Sequence, residues 1–255
     1  MNNTGHYLDI DIIGIGSAYS KQYVNASLLI HEQQQCWLID CGPTVPQAIW
    51  QRQMDIDQID LIYFTHIHPD HCMGLASLLN YFHSMGRQKP LQIMAQKQQK
   101  NALKTMLPLA YAPDQQMNFE IKWIETAEQG QWFHWSWKTA YSHHPIANRS
   151  LWIDINGFRL FYSGDGRPSQ ETIRLIQSSD LIIHECSGVD PLPIEAGHAD
   201  LPMLMELSEQ TGTTPWQLYH CLDENHDAMH QALAAHSHIK MAAQGQLIWP
   251  LSGIK

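Results

Sequence analysis

Between His66 and His71 the sequence reads His-Ile-His-Pro-Asp-His, which places three imidazoles and a carboxylate in six consecutive residues. Such groups repel one another when charged and contribute little as packing. Metal coordination is the chemistry that accounts for keeping them together. The cluster follows "IDLIYFT", an apolar run that reads as a buried strand. At a strand end, residues two apart point the same way, so His66 and His68 can converge on one ion. Asp70 and His71 arrive as the chain turns toward a helix, and their side chains can reach a second point. One short loop can thus feed two adjacent metals, the arrangement on which two-metal hydrolysis depends.

The elements that must hold such a loop can be read from periodicity. "YLDIDIIGIG", "NASLLIHE" and "CWLIDCG" read as strands, the last broken at Gly42-Pro43, and "TVPQAIWQRQ" as a short helix. Leu75, Leu78, Leu79 and Phe82 fall at i, i+3, i+4 and i+7, which predicts a helix after the cluster with Pro69 in its first turn. "LQIMA", "FEIKWIE" and "QWFHWSWKTAYS" are expected strands, and "KQQKNALKTML" an expected helix. Asn156-Gly157 predicts a hairpin inside "SLWIDINGFRLFYSGD". Then follow a helix at "PSQETIRLIQSS", a strand at "DLIIHECS", a helix closed by Gly212, a final strand at "WQLYHCL" and a last helix at "ENHDAMHQALAAH". Strands with helices between them indicate a mixed α/β class, and no linker interrupts the 255 residues, so a single domain over 1–255 is expected.

Composition narrows the partners. Hydrophobic residues make up 44% and charged residues 16%, as in a globular chain, and the formal net charge is −10 with histidines neutral. A generic nucleic-acid binder needs a basic surface, so a small substrate is favoured over RNA. A compact anionic substrate remains open, because bound metal supplies positive charge locally. The five cysteines (Cys36, Cys41, Cys72, Cys186 and Cys221) form no C-x-x-C, which predicts neither a disulfide framework nor a zinc knuckle. The N-terminal stretch has no signal-peptide pattern and no apolar run reaches membrane-span length, so a cytoplasmic location is expected.

The H-x-H-x-D-H cluster closely resembles the signature of the metallo-β-lactamase superfamily, and further parts follow in that family's order. "YSHHPIANRSLWI" carries His143 and His144, "FYSGDG" carries Asp165 and "LYHCL" carries His220. The resemblance spans about Ile12 to His220 and implies the metallo-β-lactamase fold, a four-layer αβ/βα sandwich of two mixed sheets flanked by helices. It also implies two divalent metal ions, zinc in the first place, with manganese and iron also suited to these donors. By the family's division His66, His68 and the third histidine hold one metal, Asp70, His71 and His220 the other, and Asp165 bridges them. Adjacent strand residues face opposite sides, so one of His143 and His144 is expected to bind. The spacing back from Asp165 in related phosphodiesterases favours His144.

Within the superfamily, "YSGDG", "DLIIHECS" and "AGHADL" resemble the ribonuclease Z and cyclic-phosphate phosphodiesterase branch. That resemblance makes His198 a candidate general acid, which would protonate the departing alkoxide after a metal-activated hydroxide attacks phosphorus. Asp70 could assist the nucleophile as well as bind metal. Glu185 either orients a site histidine or is a solvated strand-end acid, and His184 reads as structural. The tRNA-binding arm of ribonuclease Z commonly lies between the third histidine and the bridging aspartate, yet His144 and Asp165 are only 21 apart. The expected activity is therefore hydrolysis of a small or cyclic phosphodiester. A tRNA 3′ endonuclease, a lactone, thioester or β-lactam hydrolase on the same metals, a non-catalytic metal-containing binding protein and an iron redox enzyme on the same fold are the rivals. A homodimer is compatible with all of them.

Three other features carry less. "QWFHWSWK" could stack bases, but its alternation reads as a single strand between layers, with Phe133, Trp135 and Trp137 on one face. His226 and His230 are i, i+4 on a helix and read as a solvated face. Cys72 and Cys221 directly follow proposed ligands and are expected to point into the core.

Overall fold

The computed structural model describes residues 7–111 and 116–250. The first six residues of the N-terminal stretch lie outside the described residues. The chain divides into two compact units, one formed by 1–14, 24–126 and 244–255, the other by 15–23 and 127–243.

The first unit is built on a seven-stranded sheet. Its strands are β1 (Tyr7–Gly14), β2 (Ser27–Glu32), β3 (Gln35–Ile39), β4 (Leu61–Tyr63), β5 (Leu91–Ala95), β6 (Ile121–Glu125) and, at the edge beside β1, β14 (Gly245–Pro250). The pairs among β14, β1, β2 and β3 are antiparallel, and those from β3 to β6 are parallel. The parallel strand β4 is buried throughout, as expected of a strand covered on both faces. Helices α1 (Val45–Gln51) and α3 (Leu75–Ser84) bury Val45, Ile49, Leu75, Leu78, Leu79 and Phe82 in one core with Leu38, Ile62 and Ile93. The helix after the histidine cluster is not continuous: α2 (Pro69–Cys72) stops, and α3 starts only at Leu75. Gly74 lies against Gly42 so closely that a Cβ would collide with the Gly42 carbonyl, and its N–H donates to Cys41 O at 2.8 Å. This contact with the chain after β3 replaces the helical hydrogen bonds that would join the two segments. The remaining helices of this unit are α4 (Lys97–Lys104) and α5 (Leu107–Ala110).

The second unit has its own seven-stranded sheet, in the order β13-β12-β11-β10-β9-β8-β7. These strands are β7 (Gln129–Trp132), β8 (Trp135–Tyr141), β9 (Arg149–Ile155), β10 (Phe158–Tyr162), β11 (Leu181–Glu185), β12 (Trp216–Tyr219) and β13 (Ile239–Met241). Pairing is antiparallel from β7 to β10 and parallel from β10 to β13. Helices α6 (Gln170–Gln177), α7 (Leu201–Glu209) and α8 (His226–Leu233) set Ile176, Leu204, Leu207, Met229 and Leu233 against Phe161, Ile182 and Leu218. The expected hairpin forms at Asn156-Gly157, where both residues take positive φ.

Three sequence expectations are corrected. "QWFHWSWKTAYS" is a hairpin of β7 and β8, not one strand. Phe133 sits in its turn at φ 53° and is exposed, whereas Trp135 and Trp137 are buried. Alternation alone cannot see a two-residue turn inside an aromatic run. Strand β12 is not the last, because β13 and β14 follow it; the weak apolar pattern of "IKMAAQGQLIWP" concealed two edge strands. His226 is buried, its ring stacked on Tyr23 at 4.5 Å, while His230 is exposed as expected. Among the described residues no helix is long and apolar enough to cross a membrane.

Candidate functional site

In the first unit, the candidate donors come from the ends of two neighbouring parallel strands. Strand β4 runs into Thr65, His66 and His68, and β3 runs into Asp40, whose N–H donates to Tyr63 O at 2.8 Å. His66 Nε2 lies 3.1 Å from His68 Nδ1, and His71 Nε2 lies 3.3 Å from Asp70 Oδ2. The rings of His66 and His71 are 4.2 Å apart. His66, Asp70 and His71 are buried and His68 is partly exposed. The structure brings these four residues together in one cluster, and beside them lies a residue that the sequence did not single out. Asp40 is fully buried and adopts φ +60°, unusual for a residue other than glycine. Its carboxylate accepts from Thr65 N and Thr65 Oγ1 (both 2.8 Å) and contacts His71 Nδ1 at 2.8 Å. Burial pushes the Asp40 carboxyl upward, against the opposing pull of His71 and Thr65. An imidazole fixed through Nδ1 presents Nε2 to a ligand, the standard outer support of a metal-binding histidine.

The second unit repeats the device with three neighbouring parallel strands. The end of β10 supplies Asp165, the end of β11 supplies Glu185 and the end of β12 supplies His220. His220 also adopts a left-handed φ, +61°, and its N–H donates to Ile15 O at 2.8 Å. Its Nε2 is 3.6 Å from Asp165 Oδ2. The turn that carries Asp165 is tied down by Asn148, which is fully buried. Asn148 accepts from Asp165 N at 3.1 Å and donates to Ser163 O and Ser142 Oγ (both 2.9 Å). Gly166 passes so close to Ser142 and His144 that no Cβ would fit, and its φ is +111°, which explains the glycine in "SGDG".

Of the two adjacent histidines, His143 is exposed, whereas His144 is half-buried and can offer a ligand atom within 4.8 Å of one from Asp165. His144 Nδ1 donates to Gly197 O at 2.9 Å. Glu185 is fully buried, which rules out the solvated strand-end alternative and leaves the one in which it orients a site histidine. Its Oε1 accepts from Gly166 N (2.8 Å), Ala199 N (3.0 Å) and His198 Nδ1 (3.0 Å). The His198 ring lies 5.0 Å from that of His144 and 5.6 Å from that of His220. His184 is buried and burial lowers its pKa, as suits the structural role expected of it. Cys72 and Cys221 are buried in the core, as expected, and burial pushes both thiols up to about 12.

Two sheets of mixed pairing flanked by helices, with His/Asp residues at strand ends, define the metallo-β-lactamase fold. The solved structures agree on the fold. Metallo-β-lactamase fold protein YhfI from Bacillus subtilis superposes with a TM-score of 0.78 at 16% identity, covering 96% of this chain and 99% of that one. The short form of human tRNase Z superposes with a TM-score of 0.75 at 18% identity, covering 95% and 99%. The family model of Anti-Pycsar protein Apyc1 matches residues 8–248, and the chain belongs to that family. An Anti-Pycsar protein Apyc1 from Paenibacillus harenae is 25% identical over 219 residues, 84% of this chain and 90% of its own length. The phosphodiesterase branch expected from the sequence is therefore the one found. The His/Asp donors suit a divalent metal.

Proposed function

We propose that the chain is a single hydrolase domain that opens a cyclic nucleotide at its phosphodiester, with two divalent metal ions, zinc in the first place. His66, His68 and His144 would hold one metal, Asp70, His71 and His220 the second, and Asp165 would bridge them. The donor sets support this reading. Each unit offers clustered imidazole and carboxylate donors, and His71 and His144 are each oriented through Nδ1 by a protein oxygen. When bound, such metals activate water and offset the charge developing on phosphate oxygens.

The observation that carries the choice of phosphodiester is the Glu185–His198 pair. Cleavage of an unactivated phosphodiester expels an alkoxide, which must be protonated as it leaves. Buried Glu185 accepts from His198 Nδ1 at 3.0 Å and so fixes the ring through that nitrogen, leaving Nε2 as the nitrogen that could deliver a proton. Anti-Pycsar Apyc1 homologues degrade cyclic nucleotides, which supports the same substrate class. Between His144 and Asp165 the chain makes only the β9–β10 hairpin, with no long arm to grip tRNA.

A substrate panel with metal-reconstituted protein tests the reading: 3′,5′- and 2′,3′-cyclic nucleotides, pre-tRNA, a lactone and a β-lactam. Cyclic nucleotides should be turned over in preference to all others. Cleavage of pre-tRNA or of the lactone with cyclic nucleotides left intact would overturn it.

A further inference from the structure

His198 is held at its ring by Glu185, yet the loop that carries it is held by a residue that the proposed reaction does not use. Arg167 lies two residues after Asp165 and is largely buried, its side chain 13% exposed. Its Nη1 donates to Leu192 O (3.2 Å), to His198 O (3.2 Å) and to Asp200 Oδ2 (3.3 Å). These acceptors lie at the two ends of the segment 192–200. The Asp200 carboxylate closes the same segment by accepting from Leu192 N at 3.1 Å, and it caps α7 by accepting from Met203 N at 3.0 Å. The backbone of Arg167 is fixed as well: it exchanges two hydrogen bonds with His143, at 2.9 and 3.0 Å.

We propose that Arg167 is a positioning residue for His198. It clamps the 192–200 loop by its ends, so that the His198 ring meets Glu185 with Nε2 in place to protonate the leaving group. The first part of the loop has little else to hold it, since Pro191, Pro193, Ile194 and Glu195 face solvent, whereas its later part is also held at Gly197 O by His144 and at Ala199 N by Glu185. The three contacts of the clamp converge on a single nitrogen. A lysine ammonium has three N–H donors, so Arg167→Lys should retain much of the clamp, whereas Arg167→Met should lose it.

This inference rests on the reading of His198 as the general acid, and leaving-group dependence separates the two. A cyclic nucleotide releases an alkoxide that needs a proton; bis(p-nitrophenyl) phosphate releases p-nitrophenolate, which departs without one. Arg167→Met should lower kcat on the cyclic nucleotide ~10–100-fold and on the aryl ester less than ~3-fold, with bound metal per chain unchanged. Arg167→Lys should recover most of the loss. Asp200→Asn keeps the helix cap and removes the charge that Arg167 grips, so it should show the same selective loss, and it carries the test if the Met variant does not fold. Equal losses on both substrates, or none, in the folded variants would overturn the positioning role. His198→Ala, assayed in parallel, must itself discriminate between the substrates; if it does not, the assignment of the acid fails, and the role of Arg167 with it.

Discussion

His71 Nδ1 lies 2.8 Å from Asp40 Oδ2, with both side chains fully buried. A buried carboxylate is costly unless it is matched, and here it is matched by one imidazole and by two donors from Thr65. Asp40→Asn would keep the shape while weakening the grip on Nδ1. The expected result is a ~10–100-fold loss of metal affinity with the fold retained, as outer supports of metal ligands generally show. Competition against a zinc-buffering chelator measures it; unchanged affinity would remove Asp40 from the site.

His198 should matter only where a proton is needed. His198→Ala is expected to reduce kcat on a cyclic nucleotide by ~10²–10⁴-fold, the usual range for a lost general acid. Metal content by elemental analysis should stay at the wild-type value, because His198 is not among the proposed ligands.

The sharp contact between Gly42 and Gly74 should be intolerant. A Cβ on Gly42 would strike the Asp70 carbonyl, and one on Gly74 would strike the Gly42 carbonyl, both of them backbone atoms that cannot swing aside. Gly74→Ala is expected to cost at least ~2 kcal/mol in urea unfolding, as overpacking against fixed atoms does. A cost within error of zero would mean that the break between α2 and α3 is not enforced there.

Acid should act partly through His184. Burial lowers its folded-state pKa below the ordinary 6.5, so the unfolded chain takes up the proton first as pH falls. Stability is therefore present above about 6.5 and is lost below it, by as much as ~1.4 kcal/mol per pH unit while the ring stays neutral in the fold. Urea midpoints at about pH 7.5 and about pH 5.5 should separate more for wild type than for His184→Gln.

The five thiols should be silent. All are buried, and burial raises every one of them. Iodoacetamide at mild alkaline pH should label native protein far more slowly than unfolded protein, as mass spectrometry would show.

Much of this candidate site was legible in the sequence because its candidate donors are of rare types at strand ends. His66, His68, Asp70 and His71 form one dense run, and Asp165 and His220 each close an apolar strand. The supporting residues were harder to see, since their value comes from chain paths that meet only on folding. Asp40 ends "CWLID" as any turn aspartate would, and only its left-handed backbone and its contact with His71 distinguish it. Asn148 and Arg167 act through backbone atoms 15 and 31 residues away. For Glu185 the sequence allows both a wet strand end and a place beside a site histidine, and only the turn at Gly166 and the loop at Ala199, which cover it, decide between them. The edge strands β13 and β14 were missed for a different reason, because short edge strands carry little apolar alternation.

The most direct test follows the phosphorus. Metal-loaded protein is incubated with a 3′,5′-cyclic nucleotide in ¹⁸O-enriched water and the product is read by ³¹P NMR. Attack of water at phosphorus predicts loss of the cyclic resonance and a ring-opened monophosphate whose signal carries the ¹⁸O isotope shift. A persisting cyclic resonance from fully metal-loaded protein, or a product without ¹⁸O on phosphorus, would contradict a phosphodiesterase assignment.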